Sequence, residues 1–348
     1  LITAATWLAY GHCVRNSGFV SDDLEGLVGW DGKVKKFNYG FINKWILLKL
    51  FGKSGPANHF FSILIHNANA IMLYLFLNTI TNHTVALYAS LLFAVHPVGT
   101  QAVAWISGRG YPIGLAFVLL MLNLNALHMP QVLNFSNHLQ VASFGGFLLL
   151  LTVLYYVAVN AQFATLATFV LLAFLGNWFL AGLGLSIALF CGIGIIREVI
   201  NLRKSTFKEQ NLSQSTYFKP RKIIVVLKTL AYYIYVCLFP KRLGLYHTFF
   251  YHYNEKTESD DKWSWLGLLW LVGACAGFIY GDTVTRFGIL WFITYVFIFL
   301  NWITIHQFVA ERYVYIANIG MCILLAVVLQ NYPVIFAIIC TMYLVRTW

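Results

Sequence analysis

Charged side chains are scarce in this sequence. Only 10% of its 348 residues are Asp, Glu, Lys or Arg, whereas a soluble domain carries about 25%. Hydrophobic residues make up 60% of the chain, and long apolar runs recur at lengths close to the ~20 residues that a helix needs to cross a bilayer. The composition argues against an ordinary soluble domain and predicts an all-α protein, a polytopic bundle of transmembrane helices.

Three further patterns are missing. The apolar runs at 147–155 and 334–340 do not alternate with polar residues, which argues against a transmembrane β-barrel. No helical repeat of fixed period is visible. The six cysteines are scattered singly and without metal-ligand spacing, so we predict buried small side chains and no cysteine metal site.

Acidic residues are the rarer of the two charge classes. Twelve Asp and Glu face 23 Lys and Arg, which gives a formal charge of +11. In a membrane protein such an excess collects in cytoplasmic loops and lies against anionic headgroups, so it does not indicate a nucleic-acid partner. The most basic segment, 197–222, is therefore predicted to be a cytoplasmic loop.

Hydropathy predicts about 11 to 12 helices in a single domain that covers residues 1–348. No cleavable signal peptide is visible, and because the chain starts inside a short apolar stretch at Leu1 we expect the N-terminus to be incomplete or processed. Either two or three spans fit between 144 and 196; two would keep the basic loop cytoplasmic. The other predicted membrane segments are 1–15, 57–77, 85–95, 111–127, 223–239, 265–280, 287–302, 313–329 and 333–345.

Two loops are predicted on the non-cytoplasmic side. The first external loop, 17–56, contains an amphipathic stretch at 41–51 that suits a helix lying in the membrane interface, ended by Gly52, Gly55 and Pro56. The second external loop, 240–263, carries His247 among several tyrosines. Both loops are candidates for a site at the membrane surface.

Adjacent carboxylates stand at the start of the first external loop. Asp22 and Asp23 directly follow the first helix, and Glu25 is close behind. Carboxylates at a membrane face cost desolvation energy, so they are candidates for a functional site. The alternative is a solvated helix end, where acidic groups are favoured at the start of the next helix.

Polar residues recur in the apolar segments that follow. His59 and His66 lie on the segment 57–77, where hydrogen bonding between helices is the alternative to ligand contact. His96-Pro97 breaks the next helix, and Arg109 sits between two glycines, which suits a phosphate because guanidinium binds it bidentately. The alternative for Arg109 is a side chain that snorkels to the headgroups.

A second arginine candidate precedes the segment 313–329. Glu311 and Arg312 are adjacent there. They could pair with each other, or Arg312 could face a phosphate.

Three stretches together resemble a known family. They are Asn16–Asp23, the His96-Pro97 to Ala102-Val103 segment with Gly108-Arg109, and Val309–Tyr315 with Gly320. In this order they are similar to motifs of the transmembrane and tetratricopeptide-repeat O-mannosyltransferase family and its bacterial relatives, which belong to the GT-C class of glycosyltransferases. The chain resembles a member that lacks the repeats. It also lacks the Arg-Pro after the acidic loop and the middle-loop Lys-Glu pair that relatives carry.

The resemblance implies a membrane glycosyltransferase. Such an enzyme moves a mannose-like hexose from a polyprenyl-phosphate carrier to a hydroxyl of a protein or glycan acceptor on the non-cytoplasmic face. Asp22, and marginally behind it Asp23, would be the general base. Carrier-phosphate contacts would come from Arg109, Arg312, His96 and His247, and supporting residues would be Glu25, Glu311, His59 and His66.

The resemblance also implies cofactors, partners and location. No metal is required, although the adjacent aspartates leave a divalent ion open. The partners would be the lipid-linked sugar, its acceptor, membrane lipid and, in one interpretation, a membrane protein complex. The location would be a bacterial inner membrane or the endoplasmic reticulum. Two other functions stay open: a non-catalytic scaffold subunit, and a flippase or transporter of lipid-linked sugars, for which no inverted repeat is visible.

Overall fold

The computed structural model describes residues 1–15, 49–52, 54–132, 170–171, 221–241, 243, 262–300 and 309–348. Within those ranges the regular structure is entirely helical. The α-helices are α1 Ile2–Tyr10, α2 Gly55–Ile80, α3 His83–Val95, α4 Thr100–Val103, α5 Gly110–Val132, α6 Arg221–Leu238, α7 Lys262–Tyr280, α8 Thr283–Val296, α9 Asn318–Leu329 and α10 Pro333–Thr347. Short 3-10 turns cover Gly11–Arg15, Pro97–Gly99, Ile106–Arg109, Phe297–Phe299 and Glu311–Val314.

Side-chain caps fix where several helices begin. Ser54 accepts a hydrogen bond from the Ala57 amide at 3.4 Å, and Pro56 occupies the first turn of α2. Asn82 caps α3 and Asp282 caps α8 in the same way, at 2.9 Å and 2.8 Å. Polar residues that interrupt the apolar runs therefore act as helix starts.

Gly52 ends the described part of the predicted interfacial helix. The three residues before it are helical, and its own φ is +58°, in the left-handed region that favours glycine. The predicted helix end at Gly52 is therefore confirmed.

Three helices of the described chain are long and apolar enough to cross a membrane. They are Gly55–Ile80, Ile106–Asn123 and Trp263–Tyr280, and α3 with Pro97–Val103 forms a fourth candidate that bends by 49°. The predicted helices at 57–77, 111–127 and 265–280, and the break after 85–95, are confirmed. The two-or-three-span question at 144–196, most of the basic loop and most of both external loops lie outside the described residues.

Some helix bounds differ from the prediction. α1 ends at Tyr10, and 3-10 geometry takes over to Arg15. α9 begins at Asn318 and not at 313, because Glu311–Val314 is a 3-10 turn and the indole of Trp291 donates to the Ile316 carbonyl at 2.8 Å. α8 starts four residues early because Asp282 caps it.

The bundle is built around α2, α3 and α9. α2 packs on α1, α3 and α5, while α3 also packs on α9 and α10, and α8 packs on α9. α6 packs mainly on α7. Two glycines allow the α8–α9 contact: a Cβ on Gly320 would collide with the carbonyl of Gly288.

Pro97 interrupts the helix that α3 begins, and this releases carbonyl groups from helical hydrogen bonding. In an apolar interior each released carbonyl needs a new donor. Three side chains from other helices provide one: His66 Nε2 to the carbonyl of Ala94 (3.3 Å), Thr347 Oγ1 to Val95 (2.8 Å) and the Tyr10 hydroxyl to His96 (2.8 Å). The break is thus closed by bonds from α1, α2 and α10.

Candidate functional site

The predicted base and one predicted phosphate contact cannot be placed. Asp22, Asp23, Glu25 and His247 all lie outside the described residues. The described candidates are the two arginines, Glu311 and three histidines. The structure sorts these candidates into two groups, one around Arg109 and Arg312 and one around the broken helix.

Arg109 lies at the end of a 3-10 turn, immediately before α5. Its side chain is almost fully buried, with 3% exposed. Nη1 of Arg109 donates to the Asn58 side-chain oxygen at 3.0 Å, and Asn58 in turn donates to the Ser54 carbonyl at 2.8 Å. The guanidinium therefore sits at the N-terminal end of α2, where the helix dipole also favours an anion.

Gly108 allows Arg109 to approach α4. A Cβ at position 108 would collide with the backbone carbonyl of Gln101 and would lie 3.2 Å from the Ala102 Cα. Only glycine fits such a contact without a backbone shift. The Gly108-Arg109 pair is therefore locked against the residues that follow the helix break.

Arg312 lies on the facing segment, in the 3-10 turn Glu311–Val314. Its backbone N–H donates to the side-chain oxygen of Gln101 at 3.3 Å. Its guanidinium carbon is 5.2 Å from the ring centroid of Trp105 and 5.0 Å from that of Tyr313. Such cation–π contacts stabilise a guanidinium by about 0.5 to 2 kcal/mol each, depending on solvent exposure.

Aromatic rings form one wall of this region. Tyr313 stacks on Phe299 with ring centroids 4.5 Å apart and an interplanar angle of 8°. Tyr111, at the start of α5, lies 6.4 Å from Tyr313.

Glu311 is buried beside the same turn, with 2% of its surface exposed. The turn that carries Glu311 packs on α6, the helix that contains Tyr232. Lys228 lies one helical turn before Tyr232 and is also buried, with 8% exposed. Buried ionisable groups are costly in an apolar bundle, so Glu311 and Lys228 are added to the candidate residues.

His96 is engaged inside the bundle. Its Nε2 lies 2.8 Å from the Cys237 carbonyl, and its Nδ1 accepts from the Val98 amide at 3.2 Å. Its Nε2 therefore carries the proton and donates to the carbonyl. His96 holds the end of α6 against the helix break, and its predicted contact with a phosphate stays a prediction.

His66 is engaged in the same way. Its Nε2 bonds the Ala94 carbonyl, and its Nδ1 lies 2.8 Å from the Tyr315 hydroxyl, which therefore donates to it. The predicted alternative for His66, hydrogen bonding between helices, describes these contacts. His59 is buried beside Asn58 near the N-terminal end of α2, on the side of the bundle that holds Arg109.

Four residues of this region were missed by the sequence interpretation: Asn58, Gln101, Trp105 and Lys228. A signal existed for Lys228, because it is a single cation within an apolar helical run. Nothing in the sequence marks Gln101, since its partner Arg312 is 211 positions away. Within the described ranges no group of three His, Cys, Asp or Glu side chains could hold a metal ion.

No protein-family model matches the chain, and no curated protein or solved structure matches it either. The resemblance to the O-mannosyltransferase family therefore stays a prediction carried by the quoted motifs. What the described residues provide is a polar, cationic region in a helical protein whose longest helices suit a bilayer.

Proposed function

We propose that the chain is an integral membrane glycosyltransferase of the GT-C type that uses a polyprenyl-phosphate sugar as donor. One observation carries this proposal: α4 contacts both the turn that contains Arg109, through Gly108, and the turn that contains Arg312, through the bond from the Arg312 amide to Gln101. Two guanidinium groups on turns that share one neighbouring helix suit an anionic phosphate. The polytopic membrane location is part of the same proposal.

The carrier phosphate would be the leaving group. The acceptor hydroxyl oxygen attacks the anomeric carbon of the sugar, and a new glycosidic bond forms as the bond from that carbon to the phosphate oxygen breaks. Arg109 and Arg312 stabilise the negative charge that develops on the phosphate. Both arginines are partly or fully removed from water, where such stabilisation is stronger than at an open surface.

The hydroxyl proton needs an acceptor. In this proposal Asp22 or Asp23 takes it as general base, and the polyprenyl phosphate leaves as the second product. The sugar is a mannose-like hexose, and the acceptor is a protein or glycan on the non-cytoplasmic face. The reaction balances without a metal ion or a redox partner.

A transfer assay tests this function. Membranes that contain the chain receive radiolabelled polyprenyl-phosphate mannose, and transfer to acceptors is compared with membranes that contain the Asp22→Asn/Asp23→Asn double variant. We expect transfer by the wild type and a loss of at least ~100-fold in the double variant, since a positioned general base contributes about 10² to 10⁴ in rate.

Two results would count against the proposal. Equal transfer by both proteins would show that neither Asp22 nor Asp23 is the general base. Absence of transfer by a correctly inserted wild-type chain, with a panel of hexose donors, would contradict the enzyme and support the scaffold subunit. An Asp282→Asn variant is the matched control, because Asp282 is a helix cap far from the first external loop in the chain.

A further inference from the structure

We infer that Gln101 and Trp105 act together as a clamp that sets the position of the Arg312 guanidinium. The effect of the clamp on ligand binding rests on the proposed function, in which two arginines contact one phosphate group. It assigns Gln101 as a positioning residue that acts through Arg312.

The first half of the clamp is a hydrogen bond to the backbone amide of Arg312, which needs an acceptor from outside its own turn. In the 3-10 turn Glu311–Val314 the Tyr313 amide already bonds the Ala310 carbonyl at 3.1 Å, and Ala310, the residue at the N-cap, gives no side-chain hydrogen bond to the turn. The first amides of any helical turn lack partners inside it. The side-chain oxygen of Gln101 accepts from the Arg312 amide, so the α4 region fixes the backbone of this residue.

The side-chain half comes from Trp105, four residues after Gln101. Its indole ring and the ring of Tyr313 each lie about one cation–π distance from the guanidinium, at 5.2 Å and 5.0 Å. Stacking of this kind restricts a planar guanidinium in orientation as well as position. Backbone and side chain of Arg312 are thus held by one short segment.

The same segment carries Arg109. Gly108 packs directly on the carbonyl of Gln101, and Gln101 itself is buried with 6% exposed. Any shift of Gln101 therefore changes the position of both arginines. The clamp holds Arg109 and Arg312, which are far apart in the sequence, in fixed positions relative to α4. Fixed positions of this kind favour binding of one phosphate group by both side chains.

The test compares substitutions at Gln101 in protein purified into lipid nanodiscs. Gln101→Leu removes the acceptor, whereas Gln101→Glu keeps an oxygen in its place, and Gln101→Asn serves if the leucine variant does not fold. Gln330→Leu is the matched control, because Gln330 also accepts a side-chain bond between helices, from Asn82 at 3.2 Å. The first readout is the rate at which phenylglyoxal modifies Arg312, measured by mass spectrometry.

We expect Arg312 to be modified several-fold faster in Gln101→Leu, with the wild-type rate kept in Gln101→Glu and Gln330→Leu. The second readout is binding of polyprenyl monophosphate, which we expect to weaken roughly three- to tenfold in Gln101→Leu because the Arg312 guanidinium is no longer held in one position before the lipid binds. An Arg312→Gln background should abolish that difference, since it leaves no cation at position 312 for Gln101 to position.

The outcomes separate the clamp from the proposed function. Unchanged modification of Arg312 in Gln101→Leu would overturn the clamp. Faster modification with unchanged polyprenyl monophosphate binding would overturn its role in binding. Faster modification in a protein whose wild type binds no polyprenyl monophosphate would support the clamp and contradict the proposed donor.

Discussion

Two interruptions of the helical bundle look alike in sequence and differ in structure. At His96-Pro97 the carbonyls of Ala94, Val95 and His96 accept side-chain bonds from three other helices. At Arg109 and Arg312 the segments hold guanidinium groups against amide oxygens and aromatic rings. A polar residue beside Pro or Gly inside an apolar helical bundle can therefore either satisfy the backbone of a broken helix or hold a charged side chain.

This contrast assigns different roles to residues that the sequence analysis placed in one site. His96 and His66 use both ring nitrogens for hydrogen bonds inside the bundle, and each has at least one bond to another helix. Arg109 and Arg312 have side chains whose chemistry suits an anion. Substitutions in the first region should change stability, and substitutions in the second should change binding.

His96→Leu should be the most destabilising change. It removes the acceptor of the buried Val98 amide and one donor to the Cys237 carbonyl, and leaving buried polar groups unsatisfied costs about 2 to 4 kcal/mol here. Thermal unfolding in detergent measures the effect. His83→Leu is the control, because the His83 bond to Tyr74 is exposed. Equal melting of the two variants would contradict the structural role of His96.

Arg312→Gln should weaken binding of polyprenyl monophosphate more than it lowers the stability of the folded protein. Loss of a charge-assisted contact to a phosphate costs about 1.5 to 3 kcal/mol, which corresponds to roughly 10- to 150-fold in affinity for polyprenyl monophosphate. Titration in nanodiscs measures the affinity and thermal unfolding the stability. If the variant melted far below the wild type yet bound the lipid equally well, Arg312 would belong with the structural group.

Thr347→Val tests a single bond at the helix break. The variant keeps the shape of the side chain but leaves the Val95 carbonyl without the bond from Thr347 Oγ1, at a cost of about 1 to 2 kcal/mol in unfolding free energy. Chemical unfolding monitored by tryptophan fluorescence gives the value. Thr341→Val, which changes an exposed bond within the same helix, should cost clearly less. The reverse order would show that the Val95 carbonyl finds another donor.

Tyr10→Phe should have the smallest effect. The His96 carbonyl that loses the Tyr10 hydroxyl still accepts from the Gly99 amide at 2.9 Å, so the carbonyl is not left unsatisfied. We expect a loss of about 0.5 to 1 kcal/mol in the same unfolding measurement. A loss larger than that of Thr347→Val would mean that the hydroxyl also supports Gly99, whose missing Cβ makes room for it.

The helices themselves could be predicted from hydropathy and from the capping, proline and glycine residues that start or end them. The second helix follows Ser54 and Pro56, and the bend falls at His96-Pro97, because these residues act locally through capping and through the missing amide of proline. The start of α9 was predicted too early. Its start depends on Trp291, which reaches the Ile316 carbonyl from another helix, and apolar content alone does not show such a contact.

The site was predictable in its residue types and not in its contacts. Arg109 and Arg312 stand out as cations next to glycine or an acid in an apolar chain. Their partners Asn58, Gln101 and Trp105 are ordinary polar and aromatic residues. Their contacts with the arginines become visible only in the folded chain, where distant segments lie side by side. His96 shows the opposite case, since a conspicuous histidine is used to satisfy backbone groups.

The role of the two arginines can be measured with two lipids, polyprenyl monophosphate and the uncharged polyprenol. Each is titrated into wild-type protein and into Arg109→Gln/Arg312→Gln in nanodiscs. We predict that the wild type prefers the phosphate at least ~100-fold and that the double variant loses this preference while it keeps the wild-type melting temperature within a few degrees. Equal affinity of the wild type for both lipids, or a preference that survives in the double variant, would contradict the assignment of the arginines to a carrier phosphate.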